Sequence, residues 1–261
     1  RRFPHLFGHG TDDMTAVLQA QGLSRHFGAL RAIDNVTLSL APDRIHAVIG
    51  TNGAGKSTLI HLLSGELPPT AGHVRLHGRD ITGWSQPRRA QAGIGRSYQR
   101  NTIFLPLTVR ENCRLAAQAR TQRPWQFWQS AQGCRASGER ADEVMERAGL
   151  TAVADKTAAS LSHGQKRQLE VAMCLATSPT VLLLDEPLAG MGAEESERML
   201  ELLRRLREGH AILLVEHDMD AVFAVADDIT VMVNGSPIAS GLPADVRNNP
   251  DVQEAYLGSA H

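Results

Sequence analysis

The stretch GTNGAGKST, from Gly50 to Thr58, constrains the fold of this chain more than any other. It follows the apolar run IHAVIG and precedes KSTLIHLLSG, a helical pattern that ends at a glycine. A strand, a glycine-rich loop and a helix in this order match the phosphate-binding pattern G-x-x-x-x-G-K-[ST]. The glycines let successive backbone N–H groups face one anion, while the lysine reaches the β- and γ-phosphates of a nucleotide. The predicted nucleoside triphosphate contacts are Gly50, Thr51, Asn52, Gly53, Ala54, Gly55, Lys56, Ser57 and Thr58.

A second stretch, VLLLDEP at 181–187, provides the carboxylates that such a loop lacks. Its four apolar residues predict a buried strand, which places Asp185 at the carboxyl end, where α/β proteins bind ligands. We predict that Asp185 and the Ser57 hydroxyl hold Mg²⁺. Glu186 is predicted to polarise a water molecule for attack on the γ-phosphate. An Asp-Glu pair at a strand end is by itself usually a solvated turn, and the lysine loop in the same chain favours the catalytic interpretation.

Composition excludes some classes of protein. The net charge of the 261 residues is −1 at pH 7, so no overall basic charge favours a nucleic-acid partner. The longest apolar runs, such as VLLL and AILLV, are far shorter than the roughly 20 residues that span a bilayer. Cys113, Cys134 and Cys174 have neither metal-ligand nor disulfide spacing, which indicates reduced thiols in a cytosolic protein.

Strand patterns alternate with helical patterns, which predicts a doubly wound α/β core. The early strands are expected at 17–23, 36–40, 45–50 and 73–78, and the last two strands form a hairpin that turns at Asn234-Gly235. A mostly helical block at about 108–178 interrupts the alternation. The prediction is a disordered extension at 1–14 and one domain at 15–261, with its α/β core at 15–98 and 179–261 and a helical subdomain at 99–178. Residues 116–140 are predicted to be a surface insertion.

Other candidates have weaker support. LSHGQ, at 161–165, places small donor-rich residues at a predicted helix start, where anions bind. Gln99 lies between the first half of the core and the helical block, and His217 ends a strand where its imidazole can reach a γ-phosphate. Phe27 can stack on adenine. Each such residue alone is more often structural or solvent-exposed.

The order of Phe27, GTNGAGKS, Gln99, LSHGQ, LLLDEP and His217 resembles the ATP-binding subunit of an ABC transporter, over about residues 17–258. GIGRSYQ, LTVREN, DEPLAGM, VEHDMDAVF and VQEAYLG are similar to the branched-chain amino acid importer ATPases, whose relatives handle urea and amides. The resemblance implies an α/β fold of the P-loop NTPase, ABC ATPase type. This fold has a RecA-like core, an antiparallel β lobe and an inserted α-helical subdomain.

The resemblance also implies roles for the candidates. Phe27 would stack on adenine, Glu186 would be the catalytic carboxylate and His217 the γ-phosphate switch. Gln99 would join the γ-phosphate and the metal to the transmembrane partner. Ser162, Gly164 and Gln165 would form the signature loop (161–165), which completes the ATP site of a second, head-to-tail copy. In two departures, Gly192 replaces the usual aspartate that couples the two sites, and His163 replaces the commoner glycine.

The implied function is that of an importer's ATP-hydrolysing motor, with ATP and Mg²⁺ as cofactors, peripheral to the cytoplasmic face of the cell membrane. Its implied partners are a second ATPase subunit, identical or related, two transmembrane permease subunits and, indirectly, a solute-binding protein, with no nucleic acid. Two alternatives stay open. A soluble ABC-type ATPase of ribosomes or DNA usually has two fused ATPase domains or a long coiled coil, and Glu186 disfavours a regulator without turnover.

Overall fold

The computed structural model describes residues 16–97, 103–121 and 135–257. The strands are β1 (Leu18–Phe27), β2 (Leu30–Leu40), β3 (Arg44–Gly50), β4 (Ala71–Leu76), β5 (Arg79–Asp80), β6 (Ile94–Arg96), β7 (Val181–Asp185), β8 (Ala211–Val215), β9 (Asp228–Val233) and β10 (Ser236–Gly241). The helices are α1 (Lys56–Ser64), α2 (Gln86–Gln91), α3 (Val109–Thr121), α4 (Arg135–Arg147), α5 (His163–Ala176), α6 (Ala193–Leu206), α7 (Met219–Val225), α8 (Pro243–Arg247) and α9 (Pro250–Leu257). Short 3₁₀ helices at Thr151–Val153 and Ala158–Ser160 lie between α4 and α5.

Four strands form an antiparallel sheet in the order β2-β1-β4-β5. The β1–β2 hairpin is longer than the strands predicted at 17–23 and 36–40, because it continues to the pair Phe27–Leu30. Its outer end carries largely exposed residues, so the apolar alternation that indicates a strand is confined to the part that covers the core.

The other sheet has six strands in the order β10-β9-β3-β8-β7-β6. The neighbours from β9 to β6 are parallel, and β10 is antiparallel to β9. The hairpin turns at Asn234-Gly235 as predicted, with φ of 48° and 81° at these two residues. The parallel part explains the continuous apolar runs, since every residue of β7 and β8 is buried.

Both faces of this sheet are covered. Leu182 and Leu184 of β7 pack in a core with apolar residues of α3 to α7, whereas Leu183 packs in a second core with α1 and the antiparallel sheet. The alternation of side chains along a strand produces this division. The fold therefore has the expected α/β core and antiparallel β lobe.

Helices α3, α4 and α5 lie between β6 and β7 in the chain, where the helical block was expected. The extension at 1–14 and most of the predicted insertion, residues 122–134, lie outside the described residues. The domain boundaries at 98/99 and 178/179 stay a prediction. Within the described ranges, no helix has the length and apolar character needed to cross a membrane.

Two of the cysteines are described. Cys113 and Cys174 are buried free thiols, and burial raises the pKa of each to about 12. Both are therefore protonated at neutral pH. Cys134 lies outside the described residues.

The parallel register brings the carboxyl ends of three strands to one edge of the sheet. Val215 of β8 pairs with Val48 of β3 on one side and with Asp185 of β7 on the other. The phosphate loop (Gly50–Thr58) follows β3, Glu186 follows β7, and His217 lies two residues beyond β8. These predicted site residues therefore leave the sheet at the same edge.

Candidate nucleotide-binding site

The phosphate loop surrounds its own lysine. The Nζ of Lys56 donates hydrogen bonds to the carbonyl oxygens of Gly50 (2.7 Å) and Thr51 (3.1 Å), and the residue is 6% exposed. Burial lowers the pKa of Lys56, and the carboxylates of Glu186 and Asp185 act against this shift. The ammonium group therefore lies within electrostatic reach of the two acidic residues at the end of β7.

Two neighbouring backbone segments hold the loop. Gly55 has φ of 96° and precedes α1, and a Cβ there would lie 2.5 Å from the carbonyl oxygen of Ala32 in β2. Only glycine fits this conformation and this contact. On the other side, the Gly235 N–H donates to the Ala54 carbonyl at 3.1 Å. No side chain caps the start of α1 among the described residues, so its first N–H groups remain available to an anion. α1 ends at Gly65 as predicted, with φ of 80°.

Asp185, the last residue of β7, has the properties of a cation ligand. It is 3% exposed, and its Oδ1 has no hydrogen-bond partner among the described residues. Burial and the neighbouring Glu186 carboxylate raise the pKa of Asp185, against the effect of Arg96, His61 and Lys56. A buried carboxylate oxygen without a donor is costly unless a ligand satisfies it. The residue therefore fits the predicted Mg²⁺ contact.

Glu186 lies in a strained backbone position that directs it away from the strand. Its φ is 48°, in the left-handed region, and its N–H donates to the Val215 carbonyl at 2.9 Å. The Nδ1 of His217 lies 4.0 Å from the Glu186 Oε1. The structure thus brings together four of the predicted site residues, Lys56, Asp185, Glu186 and His217.

Glu216 is a residue of this edge that the sequence analysis missed. It is 0% exposed, its Oε1 accepts from the Leu188 N–H at 2.8 Å, and its Oε2 accepts from the His217 N–H at 3.3 Å. The same Oε2 lies 3.7 Å from the His217 Nδ1. Burial raises the pKa of Glu216, and the two backbone donors oppose this shift. In the sequence Glu216 is an acidic residue at the end of an apolar run, and nothing in that pattern indicates its two hydrogen bonds.

The signature loop caps the helix that follows it. Ser162 precedes α5; its Oγ accepts from the Gln165 N–H at 3.2 Å, and the Gln165 Oε1 accepts from the Ser162 N–H at 3.1 Å. This capping box makes Gln165 a support of the loop. His163 contacts the 188–192 loop that precedes α6, with 3.0 Å between its Nε2 and the Ala189 carbonyl oxygen.

The remaining candidates differ in how far the structure describes them. Phe27 is 45% exposed at the end of the β1–β2 hairpin, and the Arg25 guanidinium lies 4.6 Å from its ring centroid. Ile33 of the same hairpin faces Gly55, so the ring is carried by the element that packs on the phosphate loop. Gln99 lies outside the described residues.

Comparisons with known proteins agree with this geometry. The family model described as ABC transporter matches residues 33–189, and the model described as Branched-chain amino acid ATP-binding cassette transporter matches residues 236–261. The high-affinity branched-chain amino acid transport ATP-binding protein LivG of Escherichia coli (strain K12) is 40% identical over 252 residues, covering 94% of this chain and 98% of that protein. The corresponding protein BraF of Pseudomonas aeruginosa is 37% identical over 254 residues, with the same two coverages of 94% and 98%.

Solved structures show the same fold. An ATP-binding cassette of an ABC transporter in its ADP conformation has a TM-score of 0.84 and 29% sequence identity, covering 93% of this chain and 99% of that one. A nucleotide-free cassette has a TM-score of 0.83, also at 29% identity, covering 92% and 98%. One family model matches more than half of the chain, and the two relatives align with it over nearly their full length. The chain therefore belongs to the ABC transporter ATP-binding proteins, in the family of branched-chain amino acid transport.

Proposed function

We propose that the chain is the ATP-hydrolysing motor subunit of an importer for branched-chain amino acids or related small polar solutes. The observation that carries this proposal is the meeting of Lys56, Asp185 and Glu186 at one edge of the parallel sheet. The solute class rests on the names of the relatives, LivG and BraF.

Each of these residues has a task in the proposed reaction. Lys56 exchanges the carbonyls of Gly50 and Thr51 for the β- and γ-phosphates of ATP, a stronger pair of acceptors. Ser57 and Asp185 would hold Mg²⁺, which neutralises charge on the phosphates. Glu186 orients and polarises the attacking water, and His217 donates to the γ-phosphate. Gln99 stays a predicted contact of the metal and the γ-phosphate.

The complete site would form between two copies packed head to tail. α1, which follows the phosphate loop, packs in one core of the parallel sheet, and α5, which follows the signature loop, packs in the other. This arrangement supports the proposal that the N-termini of α1 and α5 bind phosphate groups of two different ATP molecules. Ser162 and Gly164 would then face the γ-phosphate held by the partner's phosphate loop. ATP binding would close the pair, and hydrolysis would release it.

A transmembrane permease would dock beside the signature loop. Phe104 and Leu105 are 55% and 39% exposed, and buried Asn112 fixes their turn by accepting from the Phe104 N–H at 2.8 Å and donating to the Phe104 carbonyl at 3.1 Å. Two exposed apolar side chains on a braced turn suit a permease helix. Two permease subunits and, indirectly, a solute-binding protein complete the proposed complex at the cytoplasmic face of the membrane.

Reconstitution tests this function. The chain, its partner ATPase and two candidate permease subunits are placed in vesicles with a candidate solute-binding protein, and uptake of labelled leucine is measured with and without MgATP. We expect ATP-dependent uptake that Glu186→Gln abolishes. ATP hydrolysis without uptake of leucine or a related solute would refute the importer assignment, and absence of hydrolysis in the complete complex would refute the motor assignment.

A further inference from the structure

The carboxylate of Glu195 lies at the start of α5, a helix to which it does not belong. Its Oε1 accepts from the Ser162 Oγ at 2.9 Å and from the Gly164 N–H at 3.2 Å. Glu195 itself is in the first turn of α6, where the N–H of the preceding Gly192 also stabilises its charge. One carboxylate therefore bridges the N-termini of two helices, and both favour an anion.

The space in front of Gly164 is filled by this carboxylate. A Cβ added to Gly164 would lie 2.6 Å from the Glu195 Cδ and 2.7 Å from its Oε1. Because Gly164 has no side chain, there is room for an anionic group in front of it, and the Glu195 carboxylate fills this space. The hydrogen bonds from Ser162, and less strongly from Gly164 and Gly192, lower the pKa of Glu195, so the group is ionised at neutral pH.

We infer that Glu195 is a further residue of the shared ATP site. Its carboxylate occupies the space in front of the signature loop where an anion binds, until the γ-phosphate held by the partner chain displaces it. The inference rests on the proposed head-to-tail pair. Ser162 has one hydroxyl hydrogen and Gly164 one amide hydrogen, so these two donors cannot serve the carboxylate and the phosphate together. Two anions in this space also repel each other. Glu195 is only half-buried, so its side chain can turn into water when the phosphate arrives.

This exchange would link ATP to the 188–192 loop. Glu195 is in the first turn of α6, which begins directly after that loop, and His163 of the signature loop contacts the loop at the Ala189 carbonyl. In the chain without a bound partner, Glu195 and His163 both connect α5 to the residues around Gly192. Displacement of Glu195 removes one of these two connections. The chain therefore has a ligand-dependent contact beside Gly192.

The test compares variants in a Glu186→Gln background, in which MgATP is expected to drive pairing without turnover. Glu195→Gln should lower the MgATP concentration for half-maximal pairing at least about fivefold, because an uncharged amide competes less with phosphate. Glu195→Asp should lower it too, since the shorter side chain keeps its charge but cannot reach both donors on α5. Glu194→Gln is the matched control, because Glu194 is in the same helical turn and pairs with Arg198 at 3.0 Å. It should leave the concentration unchanged.

Pairing is measured by size-exclusion chromatography across a MgATP titration, and ATP affinity of the single chain is measured in parallel. An unchanged or higher half-maximal concentration for both Glu195 variants would overturn the inference. If Glu186→Gln pairs but the Glu195 variants do not shift, only the role of Glu195 is wrong. If Glu186→Gln does not pair at any MgATP concentration, the proposed pair is wrong and this inference is wrong with it.

Discussion

Glu216→Ala tests how the catalytic edge of the sheet is held in place. Glu216 is fully buried and accepts from the Leu188 N–H at 2.8 Å. The alanine variant leaves that buried N–H without an acceptor, which costs about 1–3 kcal/mol. Because Leu188 lies two residues after Glu186, we expect part of this cost to appear as misplacement of the Glu186 carboxylate. At about 1.4 kcal/mol for each factor of ten, kcat should fall, by at most about 100-fold.

The Michaelis constant for ATP should not rise in this variant. Among the described residues, the phosphate loop makes no hydrogen bond to Glu216. The negative charge of Glu216 acts on Lys56 only at longer range. Removing that charge weakens repulsion of the phosphates. Glu216→Gln keeps one of the two hydrogen bonds, because its amide oxygen can still accept from the Leu188 N–H while its NH₂ group cannot accept from the His217 N–H. We therefore expect its kcat to fall less than that of Glu216→Ala.

The assay is steady-state ATP hydrolysis over an ATP titration, with urea unfolding of the same proteins to measure the loss of stability. A kcat of Glu216→Ala equal to that of the wild type would refute the positioning argument. So would a raised Michaelis constant at unchanged kcat, since that result would assign Glu216 to nucleotide binding.

Three further predictions concern other parts of the chain. Lys56→Ala should weaken ATP binding by at least about tenfold in a nucleotide titration, because charge-assisted hydrogen bonds of about 1.5–3 kcal/mol each are lost, and unchanged affinity would contradict the loop assignment. Phe104→Asp should abolish transport in vesicles and spare the ATPase activity of the free chain, whereas Leu242→Asp, at a leucine that is 50% exposed, should spare both. Arg89→Met should lower the free energy of unfolding by about 3 kcal/mol in urea titrations, because buried Arg89 donates to the Leu62 and Leu63 carbonyls at the end of α1. The control variant Arg88→Met should change the free energy of unfolding by less than about 1 kcal/mol.

The residues at the edge of the parallel sheet could be predicted from the sequence. Phosphate-loop glycines and apolar strand runs are local patterns, and parallel strands place their carboxyl ends at one edge whatever lies between them. Lys56, Asp185 and Glu186 therefore meet although more than a hundred residues separate the loop from the two carboxylates. His217 is a candidate from its place at the end of a predicted strand, and the family resemblance implies its role at the γ-phosphate. No local pattern indicates that it lies near Glu186.

Glu195 and Glu216 could not be predicted, because their positions depend on tertiary hydrogen bonds. In the sequence Glu195 is one of several charged residues on an amphipathic helix, and only the packing of α6 beside α5 gives it Ser162 as a donor. Short elements were missed for a related reason. β6 has three residues, Ile94–Arg96, and it forms a strand because β7 lies beside it. Such a segment has too few residues to show a period.

The central claim is that the signature loop completes the ATP site of another copy, and Gly164→Asp tests it most directly. The added Cβ would displace the half-buried Glu195 side chain and leave a carboxylate fixed before the γ-phosphate. Unit charges about 4 Å apart repel by roughly 4 kcal/mol at an effective dielectric near 20. Gly138→Asp is the control, since a Cβ at Gly138 meets nothing within 4 Å.

The measurement is size-exclusion chromatography with MgATP of Glu186→Gln alone and combined with each aspartate, after titration shows that every single chain binds ATP equally. We predict that Glu186→Gln and its combination with Gly138→Asp elute as dimers, and that the combination with Gly164→Asp elutes as a monomer. A Glu186→Gln/Gly164→Asp protein that dimerises as fully as Glu186→Gln would contradict the account, because the signature loop would then not face the phosphate of a partner.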